Sequence, residues 1–153
     1  MVDFQGILVN ILMIEKTEIT QHVALQEAFL ELQPQFDNKG RYYLRDYKRH
    51  RICLYKKTWE IKTAKPEREW AVKYNFDKVE GTLKNPDFII KSTKNEDSVL
   101  FYKWYDRYNI RDNITTDMGQ YMVVVVVNFK KVQTIYTSIN KKEGEQIWPE
   151  SRI

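Results

Sequence analysis

The stretch Gln120-Tyr121-Met122-Val123-Val124-Val125-Val126-Val127-Asn128 decides the fold. Five successive valines are β-branched, stiff at χ1 and better suited to a pleated surface than to a helix. Because the run is uninterrupted rather than alternating, it reads as a strand buried on both faces, in the middle of a sheet. An aspartate at Val125 is therefore expected to unfold the domain. Asn128, Phe129, Lys130 and Lys131 supply a hairpin connection into Val132 to Ser138, so these two strands are expected to be antiparallel neighbours. Strict alternation puts Val132, Thr134, Tyr136 and Ser138 on one face of the last strand and Gln133, Ile135 and Thr137 on the other.

Upstream, Phe88 to Lys91 and the aromatic-rich Val99 to Tyr105 read as further strands, and Arg41 to Leu44 and Arg51 to Tyr55 as short extended segments. Pro66 suits a first helical position, Glu67 and Glu69 complement the helix dipole, and Val72, Phe76, Val79 and Leu83 recur at helical spacing. One helix is expected there, ending by Asn85 because Pro86 follows. A second helix is expected from Ile19 to Leu32, capped by Thr17 or Thr20, and a buried strand or helix from Phe4 to Ile14. The segment from Tyr105 to Gly119 reads as a solvated loop, and that from Lys141 onward as irregular, with Trp148 able to pack back. These elements predict a single α+β domain: an antiparallel sheet of about four strands with helices packed on one face.

Hydrophobic residues make up 42% of the 153 and charged residues 30%, which is too apolar for a disordered chain and too charged for an integral membrane protein. The single cysteine, Cys53, excludes an internal disulfide, and with His22 and His50 as the only histidines it cannot build a multi-cysteine zinc site. A reducing, cytoplasmic setting and no membrane are expected. The net charge of +4 is modest but locally concentrated. Between Arg41 and Lys57 seven cations stand against Asp46 alone, with Tyr42, Tyr43, Tyr47 and Tyr55 interleaved. Cations beside aromatic faces suit phosphates and unstacked bases, although a solvated strand and turn with snorkelling side chains has the same composition.

Glycine-rich phosphate loops, a His-Glu-x-x-His helix and metal-spaced histidines are all missing from the sequence, so neither cofactor nor metal is expected. A Cys53–His50 dyad is disfavoured because residues three apart on an extended segment point to opposite faces. Asp106, Asp112 and Asp117 could meet a cation but read more simply as solvated loop carboxylates. What the sequence does offer is Lys, Arg, Tyr and Thr on a sheet. RNA cleavage through the 2′-hydroxyl needs a proton acceptor, cations for the phosphorane and an acid for the leaving oxygen, and no metal. Thr134 and Tyr136 share a face and so can share a site. Lys103 joins them only if its strand presents the same face; otherwise Tyr102 and Trp104 are the cleft residues.

From Ile52 to Trp148 the order of motifs resembles the phage-associated branch of the barnase, EndoU, colicin and RelE-like nuclease superfamily. The resemblance is carried by Trp59 to Glu67 with its Lys65-Pro66-Glu67 ending, by Gly81-Thr82-Leu83-Lys84-Asn85-Pro86-Asp87, by Phe101-Tyr102-Lys103-Trp104-Tyr105, by the valine strand, and by Val132-Gln133-Thr134-Ile135-Tyr136 with Lys141-Lys142. It implies a nuclease-like core over residues 49–148 with an N-terminal addition over 1–48. It also implies a metal-independent ribonuclease activity, RNA as partner, and a protein partner of immunity or antitoxin type. The implied catalytic set is Lys65 and Lys103 as phosphate electrostatics with Thr134 and Tyr136 as hydrogen-bonding or acid–base groups. Arg49, Arg51, Trp104, Lys141 and Lys142 are the implied substrate contacts. The family histidine before Pro-Glu is Lys65 here, a poor general base while protonated. The alternatives are a nucleic-acid binder without catalysis and a phage or mobile-element protein-interaction domain.

Overall fold

A computed structural model describes residues 33–111 and 114–150. The segments expected at 4–14 and 19–32 lie outside the described residues. In chain order the elements are β1 (Arg41–Arg45), β2 (Arg51–Tyr55), α1 (Lys56–Thr63), α2 (Pro66–Lys73), α3 (Phe76–Lys84), β3 (Phe88–Lys91), β4 (Ser98–Tyr105), β5 (Tyr108–Arg111), β6 (Ile114–Thr116), β7 (Gln120–Val127), β8 (Lys131–Ser138) and β9 (Gln146–Trp148).

The fold is mostly β. Seven strands form one mixed sheet in the order β1-β2-β8-β7-β4-β3-β9, and β5 and β6 form a separate two-stranded sheet. This corrects the expected α+β architecture, an antiparallel sheet of about four strands with helices on one face. The strands missed or left unplaced are joined by non-local pairing, which local patterning does not encode. The β1–β2 hairpin docks parallel to β8, where the Cys53 N–H donates to the Lys130 carbonyl at 2.8 Å. The tail adds β9 to the edge of β3, where Lys91 N–H donates to Glu145 C=O at 2.8 Å. The supposed loop from Tyr105 to Gly119 holds the β5–β6 hairpin, anchored by the fully buried Tyr108, whose hydroxyl donates to Gln120 C=O at 2.8 Å. As expected, the valine strand β7 lies inside the sheet, between β8 and β4, antiparallel to both. Asn128 and Phe129, both at φ 54°, make the left-handed turn that a tight hairpin requires.

The two faces of the sheet differ. On one, Phe101, Val124 and Ile135 meet Val72, Phe76, Val79 and Leu83 of the helices in the larger core, together with Trp59 of α1. On the other, a smaller cluster of Ile90, Leu100, Tyr102, Val123 and Val125 is flanked by Phe88, Tyr121 and Tyr136. Among the described residues no helix contributes to that second cluster, which marks the open face of the sheet.

Three local details correct the sequence reading. The helix α1, opened by Lys56 and Lys57, is not among the elements expected from the sequence. The single helix expected from Pro66 to Asn85 is two, broken at Tyr74 and Asn75, because the Asn75 side chain competes for backbone groups elsewhere. Its Nδ2 donates to Asn109 C=O and its Oδ1 accepts from Asn109 N–H, both at 2.8 Å, tying the break to β5. Asn75→Ala would leave two backbone groups unpaired in a buried setting, at about 1 to 3 kcal/mol each. A marked drop in the urea midpoint is the expected result. The third correction is a bulge in β8 between the pairs Val125↔Thr134 and Val126↔Val132. The extra residue flips the alternation, so Val132 joins Ile135 in the helix-side core, while Gln133 turns to the open face and accepts from Ser98 Oγ at 2.9 Å.

Candidate nucleic-acid interface

Register assigns each candidate side chain to a face. Thr134 pairs with Val125 and Tyr136 with Val123; across β7, Val123 pairs with Tyr102 and Tyr121 with Trp104. Thr134, Tyr136, Tyr102 and Trp104 therefore share the open face. Lys103 lies on the other face, where its ammonium donates to Asn85 C=O at 2.9 Å and pairs with Asp87 at 3.6 Å. Lys65 stands at the start of α2, in the helical layer. The structure thus keeps Thr134 and Tyr136 together and separates both lysines from them. Lys142 sits over the Tyr136 ring at 5.1 Å and Lys141 over Phe88 at 4.5 Å, so both belong to the open face. Arg49 occupies the β1–β2 turn at φ 65°.

The hairpin contributes a second part of this face. Tyr43 pairs with Cys53, and Cys53 with Lys131, so period two puts Arg41, Tyr43 and Arg45 of β1 beside Arg51 and Tyr55 of β2 and Lys131 of β8. Arg51 stacks over Tyr43 at 4.1 Å and Lys131 over Tyr55 at 5.2 Å, while both rings remain 37% and 39% exposed. Neither Arg51 nor Lys131 has an acidic partner among the described residues, whereas Arg41 pairs with Asp37 at 3.8 Å. At the far corner Trp104, also exposed, packs edge-on against Tyr121 at 5.0 Å and donates its Nε1–H to Asp106. Sequence reasoning singled out the basic, tyrosine-rich stretch but not its face, and it read Lys131 only as part of a turn. The alternation of Arg41, Tyr43 and Arg45, repeated in Arg51, Cys53 and Tyr55, was the available signal.

Within the first part, Tyr102 accepts a hydrogen bond from the Lys142 backbone N–H at 3.1 Å, and its phenol, buried and beside the Tyr136 hydroxyl, is pushed up from 10.0 to about 12. Burial also raises Tyr136, Tyr105 and Tyr108. The Tyr136 hydroxyl is shut off from solvent without a well-formed hydrogen bond, so it is a poor candidate for proton transfer to a ligand. Because the folded state favours the protonated phenols, the stability they contribute is complete below about pH 10 and is lost as pH rises towards 12. The urea midpoint should fall steadily across that window, in step with the rise of tyrosinate absorbance.

Among the described residues the one carboxylate that lines the same hollow as Thr134 and Tyr136 is Glu143, an exposed residue of the segment after β8. The His50 Nδ1 lies 3.2 Å from the buried Asp46 carboxylate, in the β1–β2 turn. Cys53 is buried, which pushes its thiol up and away from nucleophilic use. Asp117 pairs with Arg107 at 2.9 Å, Asp112 lies outside the described residues, and no metal-binding cluster occurs among the described residues. None of their helices is long and apolar enough to cross a membrane. The geometry defines a mixed-sheet domain with one helix-backed face and one open, basic and aromatic face. No protein-family model matches the sequence, and comparison with curated proteins and with solved structures found no similar chain.

Proposed function

We propose that this protein binds single-stranded nucleic acid, RNA foremost, across the open face of its sheet and does not cleave it. The observation that carries this reading is the row of exposed cation–aromatic pairs, Arg51 on Tyr43 and Lys131 on Tyr55, whose charges have no acidic partner among the described residues. Tyrosine rings stack on any unstacked base, and the cations beside them neutralise the phosphates that connect successive bases. A strand backbone with side chains at two-residue spacing offers such contacts at regular intervals, whereas the edges of paired bases are closed to it. The ribonuclease reading suggested by the motif order has less support from the site, because Lys65 and Lys103 lie away from Thr134 and Tyr136, and the one described carboxylate that lines the hollow beside them, Glu143, is exposed and has no described partner there to orient it as a base. A reducing cytoplasm, in keeping with the single buried thiol, is where we place this activity.

The test is fluorescence anisotropy with labelled single-stranded RNA, single-stranded DNA and duplex RNA in excess chelator, with gel analysis of each RNA afterwards. Binding of the single strands that weakens with salt, weaker binding of the duplex, and intact RNA are the expected results. Cleaved RNA would return the ribonuclease reading, and absence of binding would favour a protein-interaction domain. Comparison of the two single strands reports whether the 2′-hydroxyl is recognised.

A further inference from the structure

Beside the aromatic row, β8 borders a concavity of about 180 Å³. Its apolar lining comes from Leu100, Val125 and the Tyr136 ring, all on the open face. At the bulge, Thr134 and Gln133 bring polar groups to the same hollow; the Gln133 Oε1 is held by Ser98, which leaves its amide N–H groups for another acceptor. Lys94 and Lys142 also line it, against Glu143, while the Lys91 ammonium at its border is already paired with Glu145 at 3.9 Å, so the lining offers two cations and one anion. The wall is fixed on both sides of Lys142, by its N–H to Tyr102 and by Lys91 N–H to Glu145 C=O.

We infer that this hollow takes one unstacked nucleobase of the bound strand, with the lysines holding its flanking phosphate. The inference deepens the proposed function and rests on it. Drug-sized ligands fill pockets of roughly 300 to 1,000 Å³, so this volume admits a single ring system rather than a larger cofactor. An apolar floor suits the ring faces, a fixed amide and a hydroxyl suit the base edge, and the excess of cations suits one phosphate. Thr134 is three residues along β8 from Lys131, about 10 Å at strand rise, so a strand stacked on Tyr55 passes directly to the hollow. The bulge, which brings Gln133 and Thr134 to the same side, makes this the polar point of an otherwise apolar stretch of β7 and β8.

The experiment is an amide chemical-shift titration of isotopically labelled protein with a single-stranded hexanucleotide and, separately, with a nucleoside 5′-monophosphate. The inference expects hexanucleotide shifts both at Tyr43, Arg51 and Lys131 and at Gln133, Thr134 and Lys142, and monophosphate shifts centred on the second group. Thr134→Leu, which fills the hollow, should abolish the second group alone and weaken hexanucleotide binding roughly tenfold, as expected for the loss of one base contact. Lys142→Gln, at an exposed position, should weaken the monophosphate shifts in the same place and decides the matter if the leucine variant does not fold. Hexanucleotide shifts confined to the first group would overturn the hollow while leaving the sheet-face reading intact. Absence of any hexanucleotide shift would overturn both.

Discussion

Val124→Asp should yield no folded domain. Val124 is fully buried in the helix-backed core with Phe101, Ile135, Phe76 and Val79, so the substituted carboxylate would have neither water nor a partner. Burying an unpaired charge costs several kcal/mol, against a total stability of about 5 to 15 kcal/mol for a domain of this kind. Loss of the cooperative thermal transition, or recovery of the protein only from inclusion bodies, is the expected outcome. The neighbouring Val125, 8% exposed at the floor of the hollow, is the weaker probe, since its aspartate can reach water. A soluble Val125→Asp protein would therefore be unsurprising, contrary to what the sequence pattern predicts, whereas a soluble, cooperatively melting Val124→Asp would mean that β7 is misplaced.

The second large effect is on affinity. Replacing Tyr43 and Tyr55 together by alanine removes the two exposed rings over which Arg51 and Lys131 are held. One base–aromatic stack contributes about 1 to 3 kcal/mol, so affinity for single-stranded RNA should fall roughly 5- to 150-fold for each ring that stacks. Both positions are exposed, so melting should move little. Unchanged affinity in the double variant, measured by anisotropy at fixed salt, would remove the hairpin from the interface.

The legible parts of the fold were those written in local pattern. Five β-branched valines marked a central strand, Phe88 to Lys91 read as a short strand, and the spacing of Val72, Phe76, Val79 and Leu83 identified the side chains that cover the sheet. What was not legible depends on partners distant in sequence. Asn75 breaks a periodic helix only because Asn109, 34 residues away, receives its side chain. The parallel docking of β2 on β8 rests on Cys53 and Lys130, and β9 needs the edge of β3; neither leaves a periodic trace. The site was legible in part for the same reason. Alternation correctly grouped Thr134 with Tyr136 and raised Tyr102 and Trp104 as their neighbours, but a single bulge exchanged the faces of Val132 and Gln133. Motif order suggested that Lys65 and Lys103 act with Thr134 and Tyr136, yet order along a chain does not determine which face of a sheet a side chain takes.

The central claim is that the open face, and not the helix-backed one, meets nucleic acid. It is tested most directly by the salt dependence of single-stranded RNA affinity in Lys131→Gln beside Lys103→Gln. Lys131 lies on the open face over Tyr55, whereas Lys103 is committed to Asp87 and Asn85 on the other side. Each phosphate neutralised on a single strand contributes about 0.7 to the slope of log K against log salt. The account predicts that Lys131→Gln lowers the slope by about that amount, while Lys103→Gln leaves slope and affinity as in the wild type. A reduced slope in Lys103→Gln, with Lys131→Gln unchanged, would place the interface on the opposite face and contradict the account.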